Sequence, residues 1–304
     1  MWACFPWSLP SLKKISEVKT AVLAKSQSSR NISRPTKVFI ADIFGTSRSS
    51  WYYQEKLPQR DEILRQQILS VLADNPAYGH KRVALALGAG TRSVRRVMRI
   101  NHIKPTKRNL RLRKRRDERR PEAIYPNEIK GICPIVPNLV YVGDFTYIKH
   151  KDSYVYLATY MDLFTREVVG WSLSNKHTKE LVLDALLSAF ETTDYRLPKI
   201  IHTDQGSEYN CKGYTGFVKY LGIAVSMSKK ASPWENGYQE SFYSNFKTDL
   251  GLEFDRFETL GELIEAIHQQ INYHNNQRIH TTLKMSPAQF KLKYYQSHTS
   301  ECQS

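Results

Sequence analysis

The spacing of apolar residues divides the chain into regions of different texture. Between residues 61 and 101 the pattern is helical. Ile63, Leu64, Ile68, Leu69, Val71 and Leu72 form one apolar face that ends at Asn75-Pro76. A second short helix covers His80–Leu87, Gly88-Ala89-Gly90 makes a tight turn, and Thr91 stands as N-cap of a third helix reaching about Asn101. From Leu139 the pattern becomes β. LVYVGDFTYI is one strand, and SYVYLATYMDLFTREVVGWSLS is two strands joined by a turn near Asp162–Thr165. A helix over Thr178–Phe190, a strand over Lys199–Thr203, a helix over 211–221 and a strand over Ile223–Ser228 follow, with mainly helix beyond. That order predicts a mixed α/β sheet preceded by a small all-helical region. Residues 1–35 carry a weak helical stripe (Leu9, Leu12, Ile15, Val18, Val22), which suits a leader, a partner-binding helix or a targeting peptide.

Charge adds a second division. The 304 residues carry a net charge of +16. Residues 1–143 hold 28 Lys+Arg against 10 Asp+Glu, a net of +18, while residues 144–304 hold 17 against 19, a net of −2. The whole excess lies in the first part, as expected if that part meets a polyanion such as nucleic acid. In the third helix Arg92, Arg95, Arg96 and Arg99 follow the i, i+3, i+4, i+7 spacing that puts four guanidiniums on one face, roughly opposite Val94, Val97 and Met98. A helix, a short glycine turn and an arginine-faced helix are what helix-turn-helix DNA binding requires; a helical bundle with a solvated basic face is the plainer reading. Residues 101–120 then hold ten Lys+Arg, a run suited to phosphates, and residues 121–138, with four prolines, read as a linker. No run of 18 apolar residues exists, so no membrane-spanning helix is expected. Cys4, Cys133, Cys211 and Cys302 are scattered without a CxxC pair, which excludes a zinc finger or disulfide framework and points to a reducing compartment.

Three carboxylates are candidates for chemistry. Asp144 lies inside a strand, where Asp is depleted, and alternation puts it on the face of Val140, Val142, Thr146 and Ile148. An arginine, a set of N–H donors or a metal ion must compensate it. Asp204 ends an apolar strand, where ligands of α/β sheets collect, although Asp-x-Gly also starts turns. In PWENGYQESFYSNFKT, Ser232 and Glu235 fit a capping box, which gives Glu235 a local structural role. Glu240 has none, and lies about 140° around the helix from Glu235 at ~100° per residue. Phe242 and Phe246 point away from it, while Asn236, Ser244 and Lys247 share its face. Three gathered carboxylates repel one another, and a hard divalent cation relieves this. Mg²⁺ suits oxygen ligands and substrate phosphate, and two ions can stabilise both oxygens of an in-line phosphoryl displacement.

YVGDFTYI, IIHTDQGSEY and NGYQESFYSNFK resemble the integrase catalytic core of DDE transposases, with a spacing from Asp204 to Glu240 typical of that family and of retroviral-type integrases. Lys247 matches the family's basic residue, and INYHNNQRIHTTLKMSPAQF resembles its closing Asn-Arg-His…Pro pattern. NPAYGHKRVALAL with SVRRVMRINHIKP resembles the helix-turn-helix region of the second-frame product of two-frame bacterial insertion sequences, and SRSSWYY near residue 50 fits too. The sequence departs from the family at Ala231 and at Glu235-Asn236-Gly237, where Gly and Asp-Asn-Ala are common. The resemblance implies an RNase H-like fold with Asp144, Asp204 and Glu240 as catalytic metal ligands for two Mg²⁺ ions, with Mn²⁺ as a substitute. It also implies that Lys247 holds a DNA phosphate, with Asn236 and Ser244 as further contacts. The organisation it suggests is a leader (1–44), a helix-turn-helix-like domain (45–102), a basic linker (103–138), a catalytic core (139–292) and a tail (293–304). The implied activity is metal-dependent cleavage at insertion-sequence ends and strand transfer into target DNA. The implied partners are element-end and target DNA, further copies of the chain, and a first-frame protein or fusion segment, in the bacterial cytoplasm at the nucleoid. An RNase H-like nuclease without strand transfer and an inactive DNA-binding regulator are the alternatives. His202, two residues before Asp204, is a neighbour of the metals or a satisfied buried histidine, and His280 belongs to the closing pattern without an assigned role.

Overall fold

A computed structural model describes residues 57–106, 124–229, 233–251 and 256–299. The leader, the core of the basic run and Ser232 lie outside the described residues. Three helices come first: α1 (Leu57–Asp74), α2 (His80–Leu87) and α3 (Thr91–Ile100). Gly88 closes α2 in the left-handed region at φ 59°, which an L side chain adopts at a cost, and so turns the chain sharply into α3. The N-cap of α3 is Gly90 rather than Thr91, which is the first helical residue, and no side chain caps the helix. The apolar face of α1 is narrower than its composition suggests. Ile68 is buried and Leu64, Val71 and Leu72 pack beside it, whereas Ile63 and Leu69 are exposed. These side chains join Tyr78, Val83, Ala84, Val94, Val97 and Met98 in one small core.

Next comes a five-stranded sheet of β1 (Val140–His150), β2 (Ser153–Asp162), β3 (Val168–Ser174), β4 (Ile200–Thr203) and β5 (Ala224–Met227), in the order β3-β2-β1-β4-β5. The first three strands are antiparallel; β4 runs parallel to β1, and β5 parallel to β4. Helices α4 (Lys179–Thr192), α5 (Ser207–Asn210), α6 (Lys212–Tyr220), α7 (Gly237–Asp249), α8 (Leu260–Asn276) and α9 (Pro287–Thr299) accompany it, with a 3-10 turn at Pro233–Asn236 before α7. This is the RNase H-like arrangement, and alternation along β1 and β2 builds it. Tyr141, Ala158 and Tyr160 face α4 and α6, while Ile148, Val155, Leu157 and Met161 face α7 and α8. Gly170 lets α4 lie against β3 at backbone contact: a Cβ there would stand 2.3 Å from the amide nitrogen of Ala189. From Ile63 on, the described residues form one compact unit, and the Tyr78 hydroxyl accepts the Ile279 N–H at 2.8 Å within it.

Candidate active site

Asp144 sits on β1 on the face covered by α7, as the alternation predicts. Parallel pairing matches Val142 with His202, and the pairing of β1 with β4 ends there. Two residues further along each strand stand Asp144 and Asp204, one beside the other just past the carboxyl end of the paired region. A short β4 is what opens this notch, because β1 continues to His150 paired with β2 alone.

Helix α7 brings the third carboxylate. Gln239, fully buried, donates through Nε2 to the carbonyls of Val142 and Thr159 and accepts from Thr159 Oγ1. The Tyr243 hydroxyl donates to the Asp144 carbonyl at 2.7 Å and meets Thr159 Oγ1 at 2.8 Å. Lys247 Nζ donates to the Tyr147 carbonyl at 2.7 Å and lies 4.9 Å from the Tyr147 ring centroid. These three residues, each four after the last, run along one line of the helix. They fasten it to β1 carbonyls on either side of Asp144, and Glu240 follows the first of them, exposed. Phe242 and Phe246 are buried, as the helical phase requires.

Electrostatics shows that the carboxylates sense one another. The Asp144 carboxyl is pushed up to about 8, first by burial, then by the charge of Asp204; Glu240 raises it further, while a hydrogen bond from the Phe145 N–H and the charge of Lys247 lower it. Burial likewise raises Asp204 above the usual carboxylate range, against a hydrogen bond from the Gly206 N–H at 2.9 Å, and Glu208 raises it further. Asp162 is a useful contrast. It is also buried and raised, but it accepts hydrogen bonds from the N–H groups of Asn138, Phe164 and Thr165 and from Thr165 Oγ1, and so organises the β2–β3 turn. Asp144 has no such shell of donors from a turn, and cationic charge is what its environment lacks. The oxygen-only donor set suits a hard divalent cation. Among the described residues no three His, Cys, Asp or Glu side chains already stand together around an ion position, and Glu240 is exposed.

Other expected residues fall as follows. Glu235 does have a local role, but a different one: α7 begins at Gly237 with Asn236 before it, and Glu235 Oε2 accepts the Lys229 N–H at 2.7 Å. The capping box proper stands at Thr259 and Glu262, at the start of α8. Asn236 belongs to the 3-10 turn rather than to the helix; it is buried, and its Oδ1 has no hydrogen-bond partner. Ser244 is half-buried on α7. His202 is fully buried with Nδ1 2.8 Å from Ser226 Oγ, and burial lowers it to about 4. Arg92, Arg95 and Arg99 are exposed, Arg96 is half-buried, and Val94, Val97 and Met98 pack inward, so the basic face is turned to solvent. The sequence reading missed Gln239 and Tyr243 as anchors of α7, and Glu208 as a neighbour of Asp204. The partners of Gln239 and Tyr243 lie on β1 and β2, far away in the sequence, so no local pattern marks them. Glu208 pairs with His177 at 2.7 Å.

An integrase core domain model matches residues 136–233, and a second integrase core domain model matches residues 240–294. The transposase for insertion sequence element IS904 of Lactococcus lactis subsp. lactis (strain IL1403) is 38% identical over 55% of this chain and 66% of its own length. The insertion element IS600 uncharacterized 31 kDa protein of Shigella sonnei is 31% identical over 84% of this chain and 99% of its own length. The chain belongs to the insertion-sequence transposases with an integrase core. The transposase is thus a polynucleotidyl transferase of transposition and DNA integration, and cores of this kind depend on divalent metal ions. A weaker likeness is to the HTLV-2 integrase catalytic core domain solved in complex with magnesium, 21% identical, covering 52% of this chain and 98% of that one at a TM-score of 0.41. No described helix is long and apolar enough to cross a membrane.

Proposed function

We propose that the transposase cuts DNA at the ends of its element and joins the freed 3′-hydroxyls to target DNA, with Asp144, Asp204 and Glu240 as the catalytic carboxylates. The observation that carries this reading is the raised Asp144 carboxyl, which feels both other carboxylates and is lowered by Lys247. In cleavage a water oxygen bonds to the end phosphorus as the bond from phosphorus to the 3′-oxygen breaks, leaving a 5′-phosphate and a 3′-hydroxyl. In strand transfer that hydroxyl attacks a target phosphodiester, and the target's own 3′-oxygen leaves. Two divalent cations, Mg²⁺ with Mn²⁺ as a substitute, would supply the charge that activates the attacking oxygen and stabilises the leaving one.

The chain's residues hold and orient. Asp144 and Asp204 offer oxygens from adjacent strands, and Glu240 offers the third from a helix clamped by Gln239 and Tyr243. Lys247, held at the Tyr147 carbonyl, would place positive charge where a DNA phosphate beside the scissile bond is to lie, with Ser244 one turn before it on the same helix and Asn236, buried in the 3-10 turn, reaching DNA only if that turn moves. Arg92, Arg95, Arg96 and Arg99 bind the element end as the second helix of a helix-turn-helix. Bringing two ends together requires more than one copy, and a first-frame protein is a further partner.

Glu240→Gln should abolish Mg²⁺-dependent cleavage of terminal-repeat DNA while leaving DNA binding intact, and Glu235→Gln should cost far less. Equal loss from both changes would sink the division of roles.

A further inference from the structure

A cavity of about 420 Å³ opens on another flank of α7, lined by Arg166, Tyr238, Ser241, Asn245, Arg278 and His280 among others. It faces away from the line of Gln239, Tyr243 and Lys247 that meets β1. Its walls carry more positive charge than the protein itself neutralises. Arg278 is 3% exposed and paired with Asp249, and it also donates to Asn245 Oδ1 at 3.1 Å. The Arg166 guanidinium stacks 4.1 Å from the Tyr238 ring centroid, and its Nη1 is buried without a hydrogen-bond partner. His280 Nδ1 is buried and unpartnered too, as is Nε of Arg82. Arg82 senses both Arg278 and Asp249, while burial and then the charges of Arg166, Arg82 and Arg278 hold His280 down to about 4. Arg82 and Arg278 thus share the carboxylate of Asp249, Arg166 stands close enough to His280 to lower it, and buried donors without acceptors are costly.

The backbone adds an independent observation. Arg166 sits in the left-handed region at φ 64°, in the turn between β2 and β3. Glycine would adopt this conformation without strain, whereas a long side chain held there costs on the order of 1 kcal/mol and up. The turn holds its guanidinium over the cavity in spite of that.

We propose that this cavity is a second oxyanion site of the transposase, which grips a backbone phosphate of bound DNA through Arg166 and the ring of His280, away from the carboxylates. A phosphate would accept from the planar fork of Arg166 and supply the missing negative charge. It would also give Arg278 and His280, members of the closing sequence pattern, a common task. That the oxyanion belongs to DNA rests on the transposase reading; that the cavity takes an oxyanion does not.

The test uses the full chain and Arg166→Gly, a change that removes the guanidinium and relieves the left-handed strain, so the fold is not threatened. The wild type should melt a few degrees higher in sodium phosphate than in sodium chloride of equal ionic strength, and Arg166→Gly should lose that rise. On a short fluorescein-labelled duplex, Arg166→Gly should bind about tenfold more weakly, with a salt slope smaller by roughly one. Arg166→Lys, which keeps the charge without the fork, should fall between. A phosphate-dependent rise that survives Arg166→Gly overturns the site. A lost rise with unchanged DNA affinity and slope overturns the assignment to DNA in favour of a free anion. Glu240→Gln, which should lose cleavage and keep both binding signals, separates failure here from failure of the catalytic reading.

Discussion

Metal-free transposase should become less stable as the pH rises from 6.5 to 8, with Asp144 as the cause. Its carboxyl is pushed up to about 8 by burial, by Asp204 and by Glu240, against Phe145 and Lys247. In the unfolded chain it titrates near ~3.9. The folded state therefore holds a proton that the unfolded state has released. The stability this gives is complete below the unfolded value and is lost as the pH climbs through the folded one. His202, His274 and His280 are shifted the other way, to about 4, 3 and 4, mainly by burial. In the unfolded chain these rings are still half protonated at about pH 6.5, so together they return about 1 kcal/mol as the pH rises toward about 7.5, and the contribution of Asp144 is the difference between the wild type and Asp144→Asn, in which the histidine part cancels. Each unit is worth about 1.4 kcal/mol, so the one and a half units amount to roughly 2 kcal/mol. Urea denaturation in EDTA at half-unit steps measures this directly. Asp144→Asn should flatten the slope, and so should Mg²⁺ added to the wild type, because a cation favours the ionised carboxylate. Equal slopes in EDTA for Asp144→Asn and the wild type would refute the reasoning.

Other outcomes follow from the packing and the charge. Gln239→Leu removes the buried bonds of its amide to the Val142 and Thr159 carbonyls and to Thr159 Oγ1, and should cost about 1–3 kcal/mol; cleavage should fall further than stability explains, and a variant with full cleavage would show that α7 needs no such clamp. Gly170→Ala would force a Cβ to within 2.4 Å of the Ala185 carbonyl oxygen; a loss of ~1–3 kcal/mol or more in a denaturant melt is expected, and a neutral result would mean that α4 can slide. Replacing Arg92, Arg95 and Arg99 together by Ala should lower the salt slope of DNA binding by roughly three while leaving the melting temperature unchanged; an unaltered slope would return α3 to a solvated helical face.

Much of this was legible in the sequence because the signals were local and repeated. The β1 alternation put Asp144 on the correct face, and apolar runs gave five strands and the helices between them in order. Helical phase separated Glu240 from Phe242 and Phe246. The errors arose where a longer-range partner overrode a local rule. Thr91 has capping chemistry, but the backbone turn at Gly88 and Gly90 starts the helix without it. Glu235 lies at the right distance from Ser232 for a capping box, yet Lys229 takes its carboxylate and the helix starts two residues later. Ile63 and Leu69 have the right residue type but face solvent, because the small core that α1 joins reaches only the stripe around Ile68. Gln239 carries no local mark of its role. Its role depends on a strand 97 residues away, which no local pattern reveals. Arg166 was invisible for the same reason: its conformation is set by a turn and its surroundings by α7 and the segment after α8.

The early end of β4 has a further consequence. From Gly143 to His150, β1 has a neighbour on one side only, and an unpaired strand edge is a template on which another chain can add a strand and begin to aggregate. Gln239 and Tyr243 bond to the Val142 and Asp144 carbonyls, which face the paired strand β2, whereas Lys247 takes the Tyr147 carbonyl on the open side. A single lysine thus occupies the bare β edge where a foreign strand would pair, and it stands on the same helix that carries Glu240.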